Sequence, residues 1–322
     1  MTEIRIGTRG SRLALEQAYL VQKALEAAAE GTGFRQKVAP CTELVTLHTK
    51  GDRILDKPLA DIGEKGVFAS ELEQALLENR IDIAVHSAKD LPMVLAPGLV
   101  IAAVLPRGDV RDVLVVPKGG RCPDPVTGED GCGRKRGKED HRSFIIGTGS
   151  RRRQVQALAL WENMVCENIR GNVDSRLRKL LEGGYDGILL AKAGLDRLGP
   201  NPSWEQQFDF YPLHPGDFLP AACQGIIAVE AREDSPVMAW CRQITDPVTE
   251  LCFQVEREVL GQLSADCSEA AAAWCRREGE SLVLDAMYAD SRGTCTCETG
   301  REAGMEMARE AARRLKNRCL NE

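Results

Sequence analysis

Guanidinium and hydroxyl side chains are concentrated in one short segment of this sequence, GTGSRRRQ at 147–154. The segment follows an apolar strand pattern and opens a helical pattern. The first turn of a helix presents unpaired backbone N–H groups to an anion, and arginines there oppose the helix dipole unless an anion is present. The pattern therefore predicts an anion-binding turn, and a merely solvated basic helix start is the weaker interpretation.

Two further strand-to-helix turns repeat this arrangement. Arg9 and Ser11 lie in GTRGSR, and Arg170 precedes a predicted helix that carries Arg176 in NIRGNVDSRL. Guanidinium groups match the geometry of carboxylates and bind them through two parallel hydrogen bonds. Three such turns in one chain indicate a small ligand with several carboxylates.

A lone carboxylate accompanies these cations in AVHSAKDLP at 84–92. The apolar run before it delivers Ser87, Lys89 and Asp90 to the carboxyl end of a strand, where ligands of open α/β sheets bind. Two interpretations of Asp90 stay open at this point. It accepts N–H bonds from a ligand and stabilises a cationic intermediate, or it forms a turn with the leucine and proline that follow.

The pattern of the first 230 residues predicts the scaffold for these turns. Short β-branched runs alternate with amphipathic helical patterns, as in parallel α/β folds. The segments IGTRGSRLAL and IGTGSRRRQVQ repeat one strand–turn–helix unit, which predicts two similar α/β lobes with a ligand between them. A late strand in FLPAACQGIIAVEA is expected to return to the first lobe.

A third, smaller domain is predicted from about Asp246, where the pattern changes to helix, cysteine-containing stretch, strand and helix. The expected boundaries are 1–105 with 226–243 for the first lobe, 111–219 for the second, and 247–322 for the C-terminal α+β domain. The alanine-rich stretch LSADCSEAAAAWC at 263–275 has the composition of an ordinary surface helix. The segment 118–142, rich in glycine and charge, is expected to be an inserted loop.

Composition limits the class of protein. A chain of 322 residues predicts two or three domains, and a net charge of −6 with 5% aromatic residues argues against a nucleic-acid binder. No apolar run is long enough for a membrane span, and no secretory signal is visible. We therefore expect a cytoplasmic protein whose twelve cysteines are reduced thiols. No spacing matches a zinc site or a nucleotide-binding loop, so no metal is expected.

Seven stretches, in order along nearly the whole chain, resemble the porphobilinogen deaminase (hydroxymethylbilane synthase) family. They are IGTRGSRLAL, HTKGDRILDKPLADIGEKGVFASELEQALLEN, DIAVHSAKDLP, GTGSRRRQ, IRGNVDSRLRKL, GYDGILLAKAGLDRLG and LPAACQGIIAVEAR. Seven stretches in the correct order are far more specific than any one motif. The resemblance implies an α/β fold with two lobes like those of periplasmic-type binding proteins, and a small C-terminal α+β domain that holds the cofactor.

The resemblance also implies an activity and a cofactor. The family consists of transferases of tetrapyrrole and heme biosynthesis that join four porphobilinogen molecules head to tail with release of ammonia. Hydrolysis then releases the linear product, hydroxymethylbilane. The primer is a dipyrromethane cofactor bound through a thioether to a cysteine that corresponds to Cys267. Asp90 matches the family's catalytic aspartate, and the precedent is a cytoplasmic monomer that hands its product to uroporphyrinogen-III synthase.

The remaining site residues follow from the same resemblance. Residues that match binders of cofactor and substrate carboxylates are Arg9, Ser11, Lys89, Ser150, Arg152, Arg153, Arg170 and Arg176. Further expected site residues are Gln17, Ser87, Thr148 and Gln224, with Lys65 and Phe68 in a loop that covers the site.

Three departures from the family pattern stand out. The residues around Cys267, Ala265-Asp266 and Ser268-Ala271, are atypical, and Asp266 adds negative charge near a cofactor with four carboxylates. Gly149-Ser150-Arg151 replaces Ser-Ser-Leu, and Cys223 stands where glycine is usual.

The alternative function is a non-catalytic, two-lobed carboxylate-binding module, which needs neither Asp90 nor Cys267.

Overall fold

The computed structural model describes residues 3–31, 41–47, 70–123, 142–265 and 269–320. Lys65, Phe68, Cys267 and residues 124–141 of the expected insertion lie outside these ranges. The chain divides into two compact units, Met1–Gly108 with Gly225–Phe253 and Asp109–Gln224 with Gln254–Glu322. The finer division into three domains stays a prediction.

Strands and helices alternate through most of the described part of the chain. The strands are β1 (Glu3–Arg9), β2 (Cys41–Leu47), β3 (Ile83–Ser87), β4 (Leu99–Val104), β5 (Asp112–Pro117), β6 (Phe144–Gly147), β7 (Met164–Glu167), β8 (Gly187–Ala191), β9 (Phe208–Pro212), β10 (Ile227–Arg232), β11 (Ala271–Glu278), β12 (Ser281–Tyr288) and β13 (Ser291–Glu298). The α-helices are α1 (Arg12–Gly31), α2 (Ser70–Leu77), α3 (Arg151–Leu160), α4 (Val173–Leu181), α5 (Lys192–Leu198), α6 (Pro202–Gln207), α7 (Met238–Ile244), α8 (Pro247–Leu263) and α9 (Arg301–Leu320). A short 3-10 helix spans Ala88–Asp90.

The first unit is built on a five-stranded mixed sheet in the order β2-β1-β3-β10-β4. β1 is parallel to β2 and β3, whereas β10 is antiparallel to β3 and β4. The late strand therefore lies in the first sheet, as predicted. The buried face of β1, with Ile4 and Ile6, packs with Val21 and Leu25 of α1 in one apolar core. Full burial of each such side chain contributes about 1.5–3 kcal/mol.

The second unit contains a sheet with the same pattern of parallel and antiparallel neighbours, in the order β7-β6-β8-β5-β9, although its fourth strand comes first along the chain and that of the first sheet comes last. β6 is parallel to β7 and β8, and β5 is antiparallel to β8 and β9. Position by position, the strand directions are those of the first sheet. The internal repeat read from the two strand–turn–helix segments is therefore confirmed, and so is the α/β class of both lobes.

The C-terminal part of the second unit is a three-stranded antiparallel sheet, β11-β12-β13, with α9 packed against it. This confirms the predicted α+β class. The surface helix expected from the alanine run is wrong, because Ala271–Glu278 is strand β11 and pairs with β12 along its whole length. Pairing and burial of Ala272 and Ala273 outweigh the helix propensity of alanine. None of the helices in the described ranges is long and apolar enough to cross a membrane.

Candidate active site

The first predicted pair lies at the turn from β1 to α1. Arg9 is the last residue of β1, and Ser11 directly precedes α1. The Ser11 hydroxyl accepts a hydrogen bond from the backbone N–H of Ala14 at 3.3 Å, which satisfies one of the unpaired donors at the start of the helix. Both predicted side chains are half-buried.

The second predicted group lies at the carboxyl end of β3. Ser87 ends the strand, and its hydroxyl Oγ lies 2.9 Å from Nε2 of the buried Gln17, which ties β3 to α1. The 3-10 helix that follows carries a half-buried Lys89 and an exposed Asp90. Because β1 and β3 are adjacent and parallel, their carboxyl ends meet at one edge of the sheet. The structure therefore brings this group to the same edge as Arg9.

A buried acid–base cluster next to this group was missed by the sequence reasoning. Nε2 of His86, in β3, lies 2.9 Å from Oε2 of Glu230, in β10, and both side chains are buried. Oε1 of Glu230 has no hydrogen-bond partner among the described residues. Burial and the adjacent charge of Glu230 raise the pKa of Glu73. The available sequence signal was a polar, titratable residue inside each of two otherwise apolar strand patterns, His86 in one and Glu230 in the other.

The arginine-rich turn of the second unit begins with two hydroxyl residues. Ser150 is the N-cap of α3, and its Oγ accepts a hydrogen bond from the backbone N–H of Arg153 at 3.5 Å. The buried Thr148 accepts a hydrogen bond at Oγ1 from the N–H of Ser150 at 3.2 Å. The next residue, Arg151, is exposed at the start of the helix. The predicted strand–turn–helix arrangement is therefore present.

The other two arginines of the turn surround a buried carboxylate. Nη1 of Arg152 lies 2.8 Å from Oδ2 of Asp112, and Nη2 of Arg153 lies 2.6 Å from Oδ1. Arg152 also donates to the Leu219 carbonyl at 2.6 Å, and Arg153 to the Leu189 carbonyl at 2.8 Å. Burial by itself would raise the pKa of Asp112, but the two guanidinium groups outweigh burial and hold that pKa well below its usual range.

This cluster changes the interpretation of the turn. The sequence predicted an external anion for the arginines, and the chain itself supplies one, from Asp112 at the start of β5. Gln224 joins the cluster, since its Nε2 donates to Oδ1 of Asp112 at 3.1 Å and to the Val110 carbonyl at 2.8 Å. Two cations around one carboxylate leave net positive charge, which favours a further anion. Carboxylate binding by Arg152 and Arg153 stays a prediction.

Arg170 lies in the turn between β7 and α4, and Arg176 lies near the start of α4. Nη1 of Arg170 is buried and has no hydrogen-bond partner among the described residues. A buried, unpaired N–H group costs free energy, so this atom marks a place for an acceptor. Nε of Arg176 donates to the Gly171 carbonyl at 2.8 Å. Asn172 caps α4 by accepting a hydrogen bond from the Ser175 N–H at 2.9 Å.

The substitution of glycine for serine at 149 has a structural explanation. A Cβ atom on Gly149 would lie 2.8 Å from Oδ1 of Asn168. The Asn168 side chain therefore occupies the space that a larger residue at 149 would need. Tyr185 fixes the backbone of this neighbour, since its hydroxyl donates to the Asn168 carbonyl at 3.0 Å.

Comparisons with known proteins decide the family. Residues 4–239 match the family model "Porphobilinogen deaminase, dipyromethane cofactor binding domain". The chain is 39% identical to the porphobilinogen deaminase of Syntrophobacter fumaroxidans, over 97% of this chain and 96% of that protein. It is 37% identical to the porphobilinogen deaminase of Streptococcus sanguinis, over 98% and 96% of the two chains. This chain belongs to the porphobilinogen deaminase family.

The family match covers both lobes directly. The C-terminal part lies beyond the family model but within the full-length matches to the porphobilinogen deaminases. Among solved structures, the chain is similar to the ligand-binding component of an ABC-type import system from Staphylococcus aureus. That pair is 14% identical over 81% of this chain and 74% of the other, with a TM-score of 0.38, a likeness too distant to support any conclusion.

The described residues fit the cofactor of a porphobilinogen deaminase. A dipyrromethane carries four carboxylates. Nη1 of Arg170, which has no partner in the part of the chain that the structure describes, and the positive charge beside Asp112 are both suited to carboxylate oxygens. The expected anchor, Cys267, lies between the end of α8 at Leu263 and the start of β11 at Ala271.

Proposed function

We propose that this chain joins four porphobilinogen molecules head to tail with loss of ammonia and then releases hydroxymethylbilane by hydrolysis. The observation that carries the proposal is the position of Asp90 in a member of this family. Its carboxylate is exposed on the short helix at the carboxyl end of β3, at the sheet edge that also carries Arg9. A purely carboxylate-binding module would gain nothing from an acid at that edge.

Asp90 is the catalytic residue in this proposal. Its carboxylate accepts the N–H of a pyrrole ring and stabilises the positive charge that develops on porphobilinogen as ammonia departs. Two contacts fix the short helix that presents it. Ser87 is hydrogen-bonded to Gln17, and the Ala88 N–H donates to the Ile226 carbonyl at 3.0 Å. These bonds hold the carboxylate in place before substrate arrives, which is the preorganisation that electrostatic stabilisation requires.

A dipyrromethane on Cys267 would supply the pyrrole end to which the first substrate is joined. The side chains of this protein would hold its acetate and propionate groups and those of the growing chain. We assign that role to Arg9, Ser11, Lys89, Ser150, Arg152, Arg153, Arg170 and Arg176. We assign Thr148 and Gln224 as further site residues that support these groups. Lys65 and Phe68 are assigned to the loop that covers the site.

The finer organisation is proposed from family resemblance. It comprises three domains at the boundaries given above, a monomeric state, a cytoplasmic location, and transfer of the product to uroporphyrinogen-III synthase. Light scattering of the purified protein tests the monomer directly, because a dimer would give twice the molecular mass.

The mass of the intact protein tests the cofactor assignment. Purified protein should carry an adduct of two linked pyrrole units that disappears in Cys267→Ser. Cys41→Ser is the matched control, since Cys41 is exposed and remote in sequence from the anchor. Unmodified, folded protein that stays inert with porphobilinogen would instead support the binding-module alternative.

Replacement of Asp90 by asparagine tests the catalytic assignment. Asp90→Asn should retain the adduct and the fold but lose turnover by at least about 10²-fold, as expected when a group that stabilises transition-state charge is removed. Porphobilinogen consumption and the mass of enzyme-bound intermediates measure the effect. Near-normal bilane formation by the variant would show that the carboxylate is dispensable.

A further inference from the structure

Glu256 is a buried carboxylate that the proposed reaction does not use. It lies on α8 and has no exposed surface. Both of its oxygens accept backbone N–H groups from distant parts of the second unit. The N–H of Cys223 donates to Oε2 at 2.5 Å, and the N–H of Cys275 donates to Oε1 at 2.7 Å. The Glu256 side chain therefore joins three segments of chain by fixed hydrogen bonds.

Two of these segments enclose the expected cofactor anchor in sequence. α8, which carries Glu256, ends at Leu263, and Cys275 lies in β11, which begins at Ala271. At the helix end, the N–H of the buried Ala265 donates to the Leu260 carbonyl at 3.1 Å. The Glu256 carboxylate thus connects α8, the described helix before Cys267, to β11, the described strand after it.

The third segment leads to the buried arginines. Cys223 has a left-handed backbone with φ 60°, in a turn closed by the Gln224 N–H on the Ala221 carbonyl at 3.0 Å. The side chain of Gln224 donates to Asp112, the counter-ion of the arginine pair. Hydrogen bonds therefore connect β11 to Glu256 and Glu256 to Cys223, and the chain continues to Gln224, whose side chain completes the path to Asp112.

A second path connects the same two regions. Nη2 of Arg292, on β13, donates to Oε1 of Gln156, on α3, at 2.6 Å, and its Nη1 donates to the Asp217 carbonyl at 2.9 Å. Gln156 is buried, and its Nε2 donates to the Leu219 carbonyl at 3.0 Å. The same carbonyl accepts from Arg152. Leu219 also packs with Ala272 and Met287 of the C-terminal sheet.

We propose that Glu256 and Arg292 are positioning residues that hold helix α8 and the C-terminal sheet, whose β11 follows the expected anchor in sequence, in a fixed position relative to the buried arginine pair. The proposal rests on the proposed function and deepens it. A primer fixed to Cys267 needs its carboxylates at a constant distance from their cations, and misplacement of a bound group by about 1 Å can cost on the order of 10²-fold in rate. Two independent hydrogen-bonded paths restrict such movement.

The test compares four variants of the full chain. Glu256→Gln replaces one acceptor oxygen by an amide donor that cannot accept the N–H of Cys223 or Cys275, and Arg292→Met removes the second path. The matched controls are Glu250→Gln, an exposed acid on the same helix, and Arg277→Met, an exposed arginine on the same sheet. Measurements are the rate at which apo-protein gains the dipyrromethane mass from porphobilinogen, kcat and KM of loaded protein, and hydrogen exchange at the Cys223 and Cys275 amides.

We expect both positioning variants to load cofactor at least about tenfold more slowly and to have a kcat lower by at least about tenfold, with KM changed less than about twofold. In Glu256→Gln, the Cys223 and Cys275 amides should also exchange faster. Wild-type loading and kcat in both variants would overturn the proposal, even if unfolding temperatures fell, since that pattern marks a merely structural role. If Glu256→Gln does not fold, Arg292→Met alone decides. Failure of the wild-type protein to load would contradict the proposed function itself, and is thereby distinguishable.

Discussion

Asp112 shows how one residue changes the meaning of a motif. Three consecutive arginines at a helix start indicated an anion, and the structure shows that two of them are buried around this carboxylate. The arginines are therefore partly neutralised before any ligand binds. They are also held in fixed positions by carbonyl acceptors, which suits a site that must bind carboxylates repeatedly.

Removal of the Asp112 charge should be strongly destabilising. Asp112→Asn leaves two buried guanidinium groups with one neutral partner, and loss of one member of a buried ion pair costs about 3–5 kcal/mol. Asp109→Asn is the control, because Asp109 pairs with the half-buried Arg111 near the surface, and the substitution should cost clearly less, about 1 kcal/mol. Urea unfolding at pH 7 measures both. Equal effects of the two substitutions would contradict the buried-pair interpretation.

The buried cluster around Asp112 also affects the interpretation of activity losses in arginine variants. Arg153→Leu would leave Asp112 with one fewer cation in a buried position, so the variant is expected to lose stability as well as ligand affinity. Stalled elongation in such a variant is evidence for carboxylate binding only if the folded fraction is measured at the same time. Arg170 is a better residue for testing carboxylate binding. Its Nη1 has no hydrogen-bond partner among the described residues, so a substitution there would leave no partner of that atom unpaired.

At the scale of elements, the turn between β7 and α4 depends on Gly171. This glycine has φ 118°, and a Cβ there would lie 2.3 Å from Oγ of Ser175. Its carbonyl accepts the hydrogen bond from Arg176. The turn therefore needs glycine both for backbone conformation and for space, and it sets the direction of two predicted carboxylate-binding arginines.

Gly171→Ala should lower stability more than a matched change elsewhere. Gly183→Ala is the control, since Gly183 has φ 91° and a Cβ added there would meet nothing within 4 Å. This variant therefore measures the cost of the backbone conformation alone, about 1–2 kcal/mol. We expect Gly171→Ala to cost about 1–3 kcal/mol more because of the contact with Ser175, and to raise KM for porphobilinogen. Equal unfolding free energies for the two variants would show that the contact relaxes without cost.

At the scale of the whole molecule, stability should fall in acid. The pKa of Asp112 is lowered by its two arginines, and that of Asp82 is lowered because hydrogen bonds from Arg5 outweigh the effect of burial. A carboxylate with a lowered folded-state pKa contributes stability that is present above its unfolded pKa of about 3.9 and is lost as the pH falls towards the folded value. Glu73 acts in the opposite sense, because its pKa is raised.

Urea unfolding between pH 7 and pH 2.5 measures this dependence. The free energy of unfolding should decline below about pH 4. The Asp82 side chain is only 16% exposed in the native protein. The unfolding free energy of Asp82→Asn should therefore decline less steeply with falling pH than that of the wild type. A wild-type curve that stays flat below pH 4, or an unchanged slope in Asp82→Asn, would contradict the assigned shifts.

Much of the fold was readable because local pattern and tertiary structure agree. β1, β3, β6 and β8 are short apolar runs, and α1, α3 and α4 follow Gly/Ser/Asn turns that start helices. The repeat of strand, turn and helix predicted two lobes, and the two sheets have the same pattern of parallel and antiparallel neighbours. The β11 strand was misread because alanine favours helix locally, and only pairing with β12 makes it a strand.

The sequence by itself determined which residue types could bind carboxylates, where they lie relative to strand ends, and, through seven ordered motifs, the family. It could not show what each cation contacts, because ion pairs join residues far apart in the chain. Asp112 lies 40 residues or more from its arginines, and Glu256 lies 33 residues from Cys223. Only the tertiary structure brings these groups together. It decided that Arg152 and Arg153 are buried with a counter-ion and that Nη1 of Arg170 has no partner among the described residues. It also decided that one carboxylate connects the segments on either side of the expected anchor to the turn that reaches the arginines. The reason is that burial forces every polar group to find a partner or to stand ready for one.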